Sequence, residues 1–260
     1  MADTTPSPLQ HNRQRSIHRL AVEQGSVEVT ALAEQFGVTT ETIRRDLSEL
    51  QRLGKIRRVH GGAVPIETSE PEPLLSTRGM QLPAEKLRIS ELATEFVPES
   101  GSVLIDSGST LHRLSEVFPV DRNVHVITNS LVGAMTLAQR EVGRLTVLGG
   151  GVRLNTMSMV DSLTAQMVRG LLVDVLFISC DGLSLKGGLT TPYRDEFDVK
   201  RAMVEAARRV IALVDHSKTG SEDLFAYAGF EEIDVLVTDS GADPEAVDVL
   251  RSQGVDVRIA

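Results

Sequence analysis

Apolar positions recur at helical spacing through the first sixty residues. Ile17, Leu20 and Ala21 mark a first helix, which Gly25 closes. Val27 and Val29 give a brief strand-like alternation. Thr30 is placed to cap a second helix, Ala31–Phe36, with Leu32, Ala33 and Phe36 on its inner face. Gly37 supplies a tight turn. Thr39 caps a third helix running to about Leu53, which Gly54 ends. In that helix Ile43, Leu47, Leu50 and Leu53 form one apolar stripe, and Thr40, Arg44, Arg45, Ser48 and Arg52 are left on other faces. The following KIRRVHGGAV reads as a strand, a glycine turn and a return strand. From Pro83 onward the pattern changes. Short β-branched runs at 103–106, 124–128, 145–148, 173–179, 210–214, 235–238 and 255–259 alternate with amphipathic segments at 86–96, 110–118, 131–140, 162–172, 197–209 and 244–253. Such alternation predicts an α/β domain with a largely parallel sheet.

Between the two patterns lie Pro65, Pro71, Pro73 and Pro83, interleaved with acidic and hydroxyl residues. Proline removes backbone donors and biases the preceding residue away from helix. The expected organisation is a small domain over residues 10–64, a linker over 65–83 and an α/β domain over 84–260.

Charge sharpens the division. The chain of 260 residues carries a net −9. Between Arg13 and His60 there are 9 Lys/Arg against 6 Asp/Glu, whereas from Gly61 onward there are 18 against 29. A basic module of net +3 is therefore joined to an acidic one of net −11. A single Cys permits no intrachain disulfide and no cysteine-based zinc site, in keeping with a reducing compartment. The N-terminus lacks the apolar core of a signal peptide, and no run approaches the ~18 apolar residues of a membrane span. The expected location is the cytoplasm.

Two short helices joined by a glycine turn, the second opening with Thr and exposing Arg, make a helix-turn-helix. The apolar stripe holds the second helix in place, so that its N-terminal polar residues reach base edges in the major groove. Thr39, Thr40, Thr42, Arg44 and Arg45 are the candidates. The strand-turn-strand that follows is a wing, with Arg57, Arg58 and His60 placed to meet phosphate or minor groove. The expected partner is double-stranded operator DNA, which would hold the protein at the nucleoid.

In the α/β domain the unusual residues stand at strand ends, where such sheets bind ligands. They are Asp106-Ser107-Gly108-Ser109-Thr110, Thr128-Asn129-Ser130, Gly149-Gly150-Gly151, Cys180-Asp181-Gly182 and Asp215-His216-Ser217-Lys218. Small residues and glycine at a helix N-terminus present free N–H groups to an anion. Turn chemistry alone also favours Asp, Ser and Gly there, but five such ends in one domain point to a small anionic ligand. No P-loop, no G-x-G-x-x-G and no metal-ligand spacing occurs, so no cofactor or metal is expected. Cys180 reads as a small buried hydrophobe beside Asp181.

The string VTALAEQFGVTTETIRRDLSELQRLGKIRRVHGGAV resembles the winged helix-turn-helix of the DeoR family of bacterial sugar-metabolism regulators. The pieces IDSGST, VITNS, LGGGVR, DGLSLKGGLTTP, EFDVKRAM and VDHSKTG are similar to that family's sensor domain, which resembles ribose-5-phosphate isomerase and CoA-transferase folds. The resemblance implies that Thr42, Arg44 and Arg45 face the operator. It implies phosphate contacts from Ser107, Gly108, Ser109 and Thr110, and sugar contacts from Asp106, Asn129, Asp181, Glu196 and Lys218. The sequence departs from the family with Thr39 in place of Ser, Ser109 in place of Thr, and Cys180 and Asp161 in place of glycines.

The expected function is a DNA-binding repressor of carbohydrate-metabolism genes, controlled by a phosphorylated sugar and acting as a homo-oligomer, a dimer or tetramer. It is a regulator rather than an enzyme. The alternative is a sugar-phosphate isomerase with a DNA-binding appendage, since Asp106, Asp181, Glu196 and Lys218 are capable of acid–base work. A DNA-associated protein with no ligand would use the same residues as turn formers only.

Overall fold

The computed structural model describes residues 13–14, 16–18, 20–21, 25–52, 56–59, 61–65 and 73–260. It divides into two compact units, with the boundary between Glu72 and Pro73.

In the first unit, helical positions between 13 and 21 bury Ile17 and Ala21 completely. The second helix spans Val29–Phe36, and Glu28 rather than Thr30 stands at its N-cap, without a side-chain cap. The helix starts two residues earlier than expected because Val27–Glu28 is consumed as a strand, paired antiparallel with Gly62–Ala63. The third helix, Thr40–Arg52, begins as its sequence predicts, with Thr39 Oγ1 accepting from the Thr42 amide at 3.2 Å. Its proposed end at Leu53-Gly54 lies outside the described residues. Ile43, Leu47 and Leu50 are buried against Ile17, Leu32 and Ala33. Asp46, only 1% exposed, accepts from Arg13 Nε at 2.6 Å and Gln14 Nε2 at 3.0 Å. The wing is the antiparallel pair Ile56–Val59 and Gly62–Pro65.

The second unit is a seven-stranded, wholly parallel sheet. From one edge it runs Asp256–Ile259, Val235–Thr238, Val210–Leu213, Val175–Ile178, Ser100–Ile105, Asn123–Thr128 and Arg144–Val147. Successive strand residues point to opposite faces, and the core divides accordingly. Leu104, Leu176, Ala212 and Leu236 pack on one face with Ala165, Val168, Val199 and Met203 of the helices Ser162–Arg169 and Arg194–Ala206. Val103, Ile105, Phe177, Ile211 and Val237 pack on the other with Ile89, Leu111 and Leu137, from the helices Pro83–Ala93, Ser109–Val117 and Leu131–Gln139. Helices on both faces explain why the strands read as continuous apolar runs.

Three features depart from the sequence reading. A three-stranded antiparallel sheet of Gly182–Ser184, Gly188–Thr191 and Phe225–Ala228 accompanies the main one. A small hairpin pairs Val152–Arg153 with Ser158–Met159. The span expected as a linker, 65–83, carries structure of its own: Pro65 ends the wing strand, Leu75–Met80 is a helix, and Pro83 opens the next helix at its first turn. Proline at the first helical position loses no hydrogen bond, so the proline signal marked a helix start as well as a boundary. Residues 66–72 lie outside the described residues.

The strand order opens a crevice in the sheet. The chain begins the sheet at Ser100–Ile105, builds outward through Asn123–Thr128 and Arg144–Val147, then returns to the opposite side of the first strand with Val175–Ile178. Connections leaving these two neighbouring strands diverge and leave a crevice at their carboxyl ends.

Candidate functional site

The first unit presents one polar surface. Arg44 and Arg45 project from the first two turns of the Thr40–Arg52 helix, with side chains 55% and 80% exposed, and Glu41 lies 3.9 and 3.8 Å from them. Ion pairs so exposed and so long contribute little and leave both guanidinium groups available. Thr39, Thr40 and Thr42 share that helix start, where the Thr39 and Thr42 hydroxyls lie 2.9 Å apart. From the wing, Arg58 Nη1 donates to Ser48 Oγ at 3.2 Å. Glu41, Arg44, Arg45, Ser48, Glu49 and Arg58 thus line one shallow concavity between helix and wing. His60 and the Arg57 side chain lie outside the described residues.

The second unit builds its site at the crevice between Ser100–Ile105 and Val175–Ile178. Ser107 to Thr110 leave the first strand, Ser179 to Asp181 leave the second, and Asp215 and Lys218 follow the next strand over. Gly108 has φ +124°, a backbone conformation that L side chains rarely adopt, and it is the N-cap of the Ser109–Val117 helix. No side chain caps that helix, so its first N–H groups stay available to an anion.

The charges around the pocket are mostly paired. Lys200 Nζ donates to Asp106 Oδ2 at 2.5 Å and to the Ser179 carbonyl at 2.8 Å. Lys86, 3% exposed, sits 3.1 Å from Asp215. Arg78 Nη2 donates to Asp181 Oδ1 at 2.6 Å. Lys218 is the lining cation with no carboxylate within 4 Å among the described residues.

Asp181 and Glu196 share the hydroxyl of Thr191, whose Oγ1 lies 3.0 Å from Asp181 and 3.3 Å from Glu196. One hydroxyl proton serves one acceptor, so two charged carboxylates do not suit this arrangement. Burial and the neighbouring Asp181 push Glu196 up to about 7, against the pull of Lys200, Arg153 and Arg78. Burial also pushes Asp181 up, but Arg78 and Lys200 outweigh it and hold Asp181 below its ordinary value. A protonated Glu196 donating to Thr191, which donates to an ionised Asp181, satisfies all three. Burial raises the Cys180 thiol, aided by Asp181, so the pocket wall there is a neutral thiol.

Of the candidates read from sequence, Ser107, Gly108, Ser109, Thr110, Asp181, Glu196 and Lys218 line this pocket together. Asp106, 1% exposed, lies behind them as the partner of Lys200. Asn129 and Gly150 are not among the lining residues. They end strands on the far side of the switch, Asn123–Thr128 and Arg144–Val147. Asn129 donates to the Met159 carbonyl at 3.1 Å. Gly150 is a packing glycine: a Cβ there would lie 2.2 Å from Thr164 Oγ1 and 2.5 Å from Asp161 Oδ1. Asp161 itself caps the Ser162–Arg169 helix through Thr164 N at 2.9 Å and holds Gly151 N at 2.6 Å.

Sequence reasoning missed Arg78, Lys86 and Lys200. Lys200 had a signal, since it stands four residues after Glu196 and so shares its helix face. Lys86 had one too, being in line with the buried Ile89, Ser90 and Ala93. Arg78 had none, because its segment read as linker. Among the described residues no group of three or more His, Cys, Asp or Glu is placed to hold a metal ion, and no helix is long and apolar enough to cross a membrane.

A winged helix-turn-helix joined to a doubly wound α/β unit with a strand-end pocket is the architecture of a two-domain transcriptional regulator. Residues 13–69 match the DeoR-like helix-turn-helix domain and residues 82–240 the DeoR C terminal sensor domain, and the chain belongs to the DeoR family. It is 33% identical to the HTH-type transcriptional regulator GlpR of Haloferax volcanii over 245 residues, 94% of this chain and 96% of that protein. It is 31% identical to the putative aga operon transcriptional repressor of Escherichia coli O157:H7, covering 94% and 91% of the two chains. To the glycerol-3-phosphate regulon repressor of Escherichia coli K12 it is 29% identical, covering 96% and 99%. Among solved structures it is similar to ribose 5 phosphate isomerase A from Neisseria gonorrhoeae, with TM-score 0.39 and 19% identity over 52% of this chain and 53% of that one.

Proposed function

We propose that this regulator is a repressor of carbohydrate-metabolism genes, acting on DNA in the cytoplasm, and that a phosphorylated sugar bound in the strand-end pocket sets its affinity for its operator. One observation carries the reading: the uncapped N-terminus of the Ser109–Val117 helix and Lys218, which has no carboxylate within 4 Å among the described residues, line the same pocket as Asp181 and Glu196. The phosphate meets the Ser107–Thr110 backbone and Lys218, and sugar hydroxyls donate to Asp181 and Glu196. Asp106 acts from behind by holding Lys200. The repressor names carried by two of the relatives support the direction of control.

On the DNA side, Thr39, Thr40, Thr42, Arg44 and Arg45 enter the major groove, and the wing arginines Arg57 and Arg58, with His60, meet the backbone or minor groove. A single winged unit of net +3 binds weakly, so a dimer or tetramer engaging repeated half-sites is part of the proposal. Coupling is a difference in affinity: the ligand weakens DNA binding by the factor by which DNA weakens ligand binding.

The test pairs a thermal-shift panel of phosphorylated sugars with band shifts on the DNA upstream of the chain's own gene. A compound that raises the melting temperature and releases the DNA is expected. No DNA binding at low salt, or no stabilising compound in the panel, overturns the proposal.

The isomerase alternative has one arrangement in its favour, the buried Glu196 carboxyl and Asp181 on either side of the Thr191 hydroxyl in the pocket. Turnover of pentose or hexose phosphates by the full chain, abolished by Asp181→Asn, establishes it in place of the regulator-only reading.

A further inference from the structure

The main sheet has two edge strands, and they differ in kind. Asp256–Ile259 carries Asp256 and Arg258, both exposed and paired with each other at 2.9 Å. The helix before it, Pro244–Ser252, exposes Glu245, Asp248 and Arg251. Charges of this kind keep an edge from pairing with another chain. Arg144–Val147, at the opposite edge, has one charge, on its first residue. Leu148 N donates inward to the Thr128 carbonyl at 2.9 Å. Backbone groups alternate sides along a strand, so Leu145 and Val147 turn an N–H and a C=O outward. Among the described residues no strand pairs with that outer side.

Apolar side chains gather along the same edge. Val147 stands on the strand, which runs into Gly149-Gly150-Gly151 and then Val152. Thr164 Oγ1 donates to the Gly149 carbonyl at 2.8 Å and so seats the Ser162–Arg169 helix against the glycine turn. A Cβ on Gly149 would lie 3.8 Å from Met167 Sδ, which places Met167 at the edge. Leu163 is one helical turn before Met167 and shares its side. Val147, Val152, Leu163 and Met167 are 39–52% exposed. Single exposed apolar side chains are ordinary, but a group of them marks a contact surface.

Charge says what that surface meets. Residues 142–170, which build this edge, hold three basic side chains and one acidic. The rest of the unit holds 15 basic and 25 acidic. Two copies of so acidic a unit repel over most of their surface and approach at least cost here. We propose that the Arg144–Val147 edge is where two copies of this chain join, each strand pairing antiparallel with its counterpart about a two-fold axis. A two-fold needs one face that fits itself, and an open strand does so through its own backbone. Because the one charge is at the first position, antiparallel pairing sends the two Arg144 side chains to opposite ends of the joint. Parallel pairing would set them side by side. The four apolar side chains flank the new strand pair and lose their exposure to water. The inference rests on the oligomer in the function proposed above and adds the face that forms it.

Two measurements on the full-length chain at tens of micromolar test it. Sedimentation velocity gives the assembled mass, and a dimer or larger is expected. Hydrogen exchange of the same sample should show the Leu145 and Val147 amides exchanging at least about tenfold slower than unprotected amides. Val147→Lys combined with Met167→Glu, both on the surface, should at least halve the mass. Ile259→Lys, on the opposite edge, should leave it unchanged. A chain that sediments as a monomer removes the oligomer and this joint together. An assembly in which Leu145 and Val147 exchange at the unprotected rate, or one that survives the paired substitution, overturns this face and leaves the oligomer standing.

Discussion

Lys200 reaches from the middle of the Arg194–Ala206 helix to Asp106, at the end of a strand 94 residues earlier in the chain, and the pair is buried with side chains 7% and 1% exposed. It fastens that helix to the carboxyl end of the sheet's strands. Burial pushes the Lys200 ammonium down, but Asp106 and Glu196 outweigh it and hold it above its ordinary value. Removing one partner strands the other's charge in the interior. Lys200→Met should cost about 3–5 kcal/mol of stability in urea unfolding. A loss under about 1 kcal/mol would show that water reaches Asp106.

Lys218 should behave in the opposite way. It is half-buried and ion-paired to no carboxylate within 4 Å among the described residues, so its charge acts on Asp181 and Asp223 only at longer range. Lys218→Gln should leave stability within about 0.5 kcal/mol. The thermal shift produced by a phosphorylated sugar should disappear. A variant that keeps the full shift removes Lys218 from the site.

Glu196 predicts a pH dependence. Its carboxyl is pushed up to about 7, so the folded chain holds that proton more tightly than the unfolded chain does. The resulting stabilisation is greatest at low pH and is lost as pH rises from the ordinary carboxylate range toward 7. Glu196→Gln fixes the neutral form. Its stability relative to the parent should be flat near about pH 4 and rise up to about pH 8. Urea unfolding across that range measures it, and a constant difference contradicts a neutral Glu196.

On the DNA side, Arg44→Gln and Arg45→Gln should each weaken operator binding. If the lost contact is to phosphate, the salt slope should also fall by about 1. Thr39→Ala acts differently, since it removes the hydroxyl that accepts from Thr42 N. It should cost about 1 kcal/mol of unfolding free energy through the lost cap. Fluorescence anisotropy on labelled operator at several salt concentrations, with thermal unfolding alongside, separates the two effects. An unchanged salt slope in both arginine variants leaves phosphate contact to other residues.

Local signals made much of this molecule legible. The stripe Ile43, Leu47 and Leu50, the Thr39 cap and the glycine between the two short helices describe the helix-turn-helix within thirty residues of chain. The alternation of apolar runs and amphipathic segments announces the doubly wound sheet, and Gly108 announces the turn that opens the Ser109–Val117 helix. All of these are settled by neighbours a few positions apart, where backbone geometry and spacing suffice.

Which strand ends form one pocket was not local. Five ends carried similar small and acidic residues, yet only those around the switch between Ser100–Ile105 and Val175–Ile178, with the strand beside them, converge. Asn129 and Gly150, which follow the strands Asn123–Thr128 and Arg144–Val147, are not among the residues lining it. The long-range pairs Lys200–Asp106, Lys86–Asp215 and Arg78–Asp181 were likewise invisible, because each joins residues that only the closed sheet brings within a few ångströms. By itself the sequence determined the helix-turn-helix, the strands of the main sheet with the helices between them, and the small and acidic residues at the strand ends. Tertiary structure alone decided which lining charges are paired and that Lys218 has no carboxylate within 4 Å among the described residues, because pairing depends on distance and burial, and neither is written in spacing along the chain.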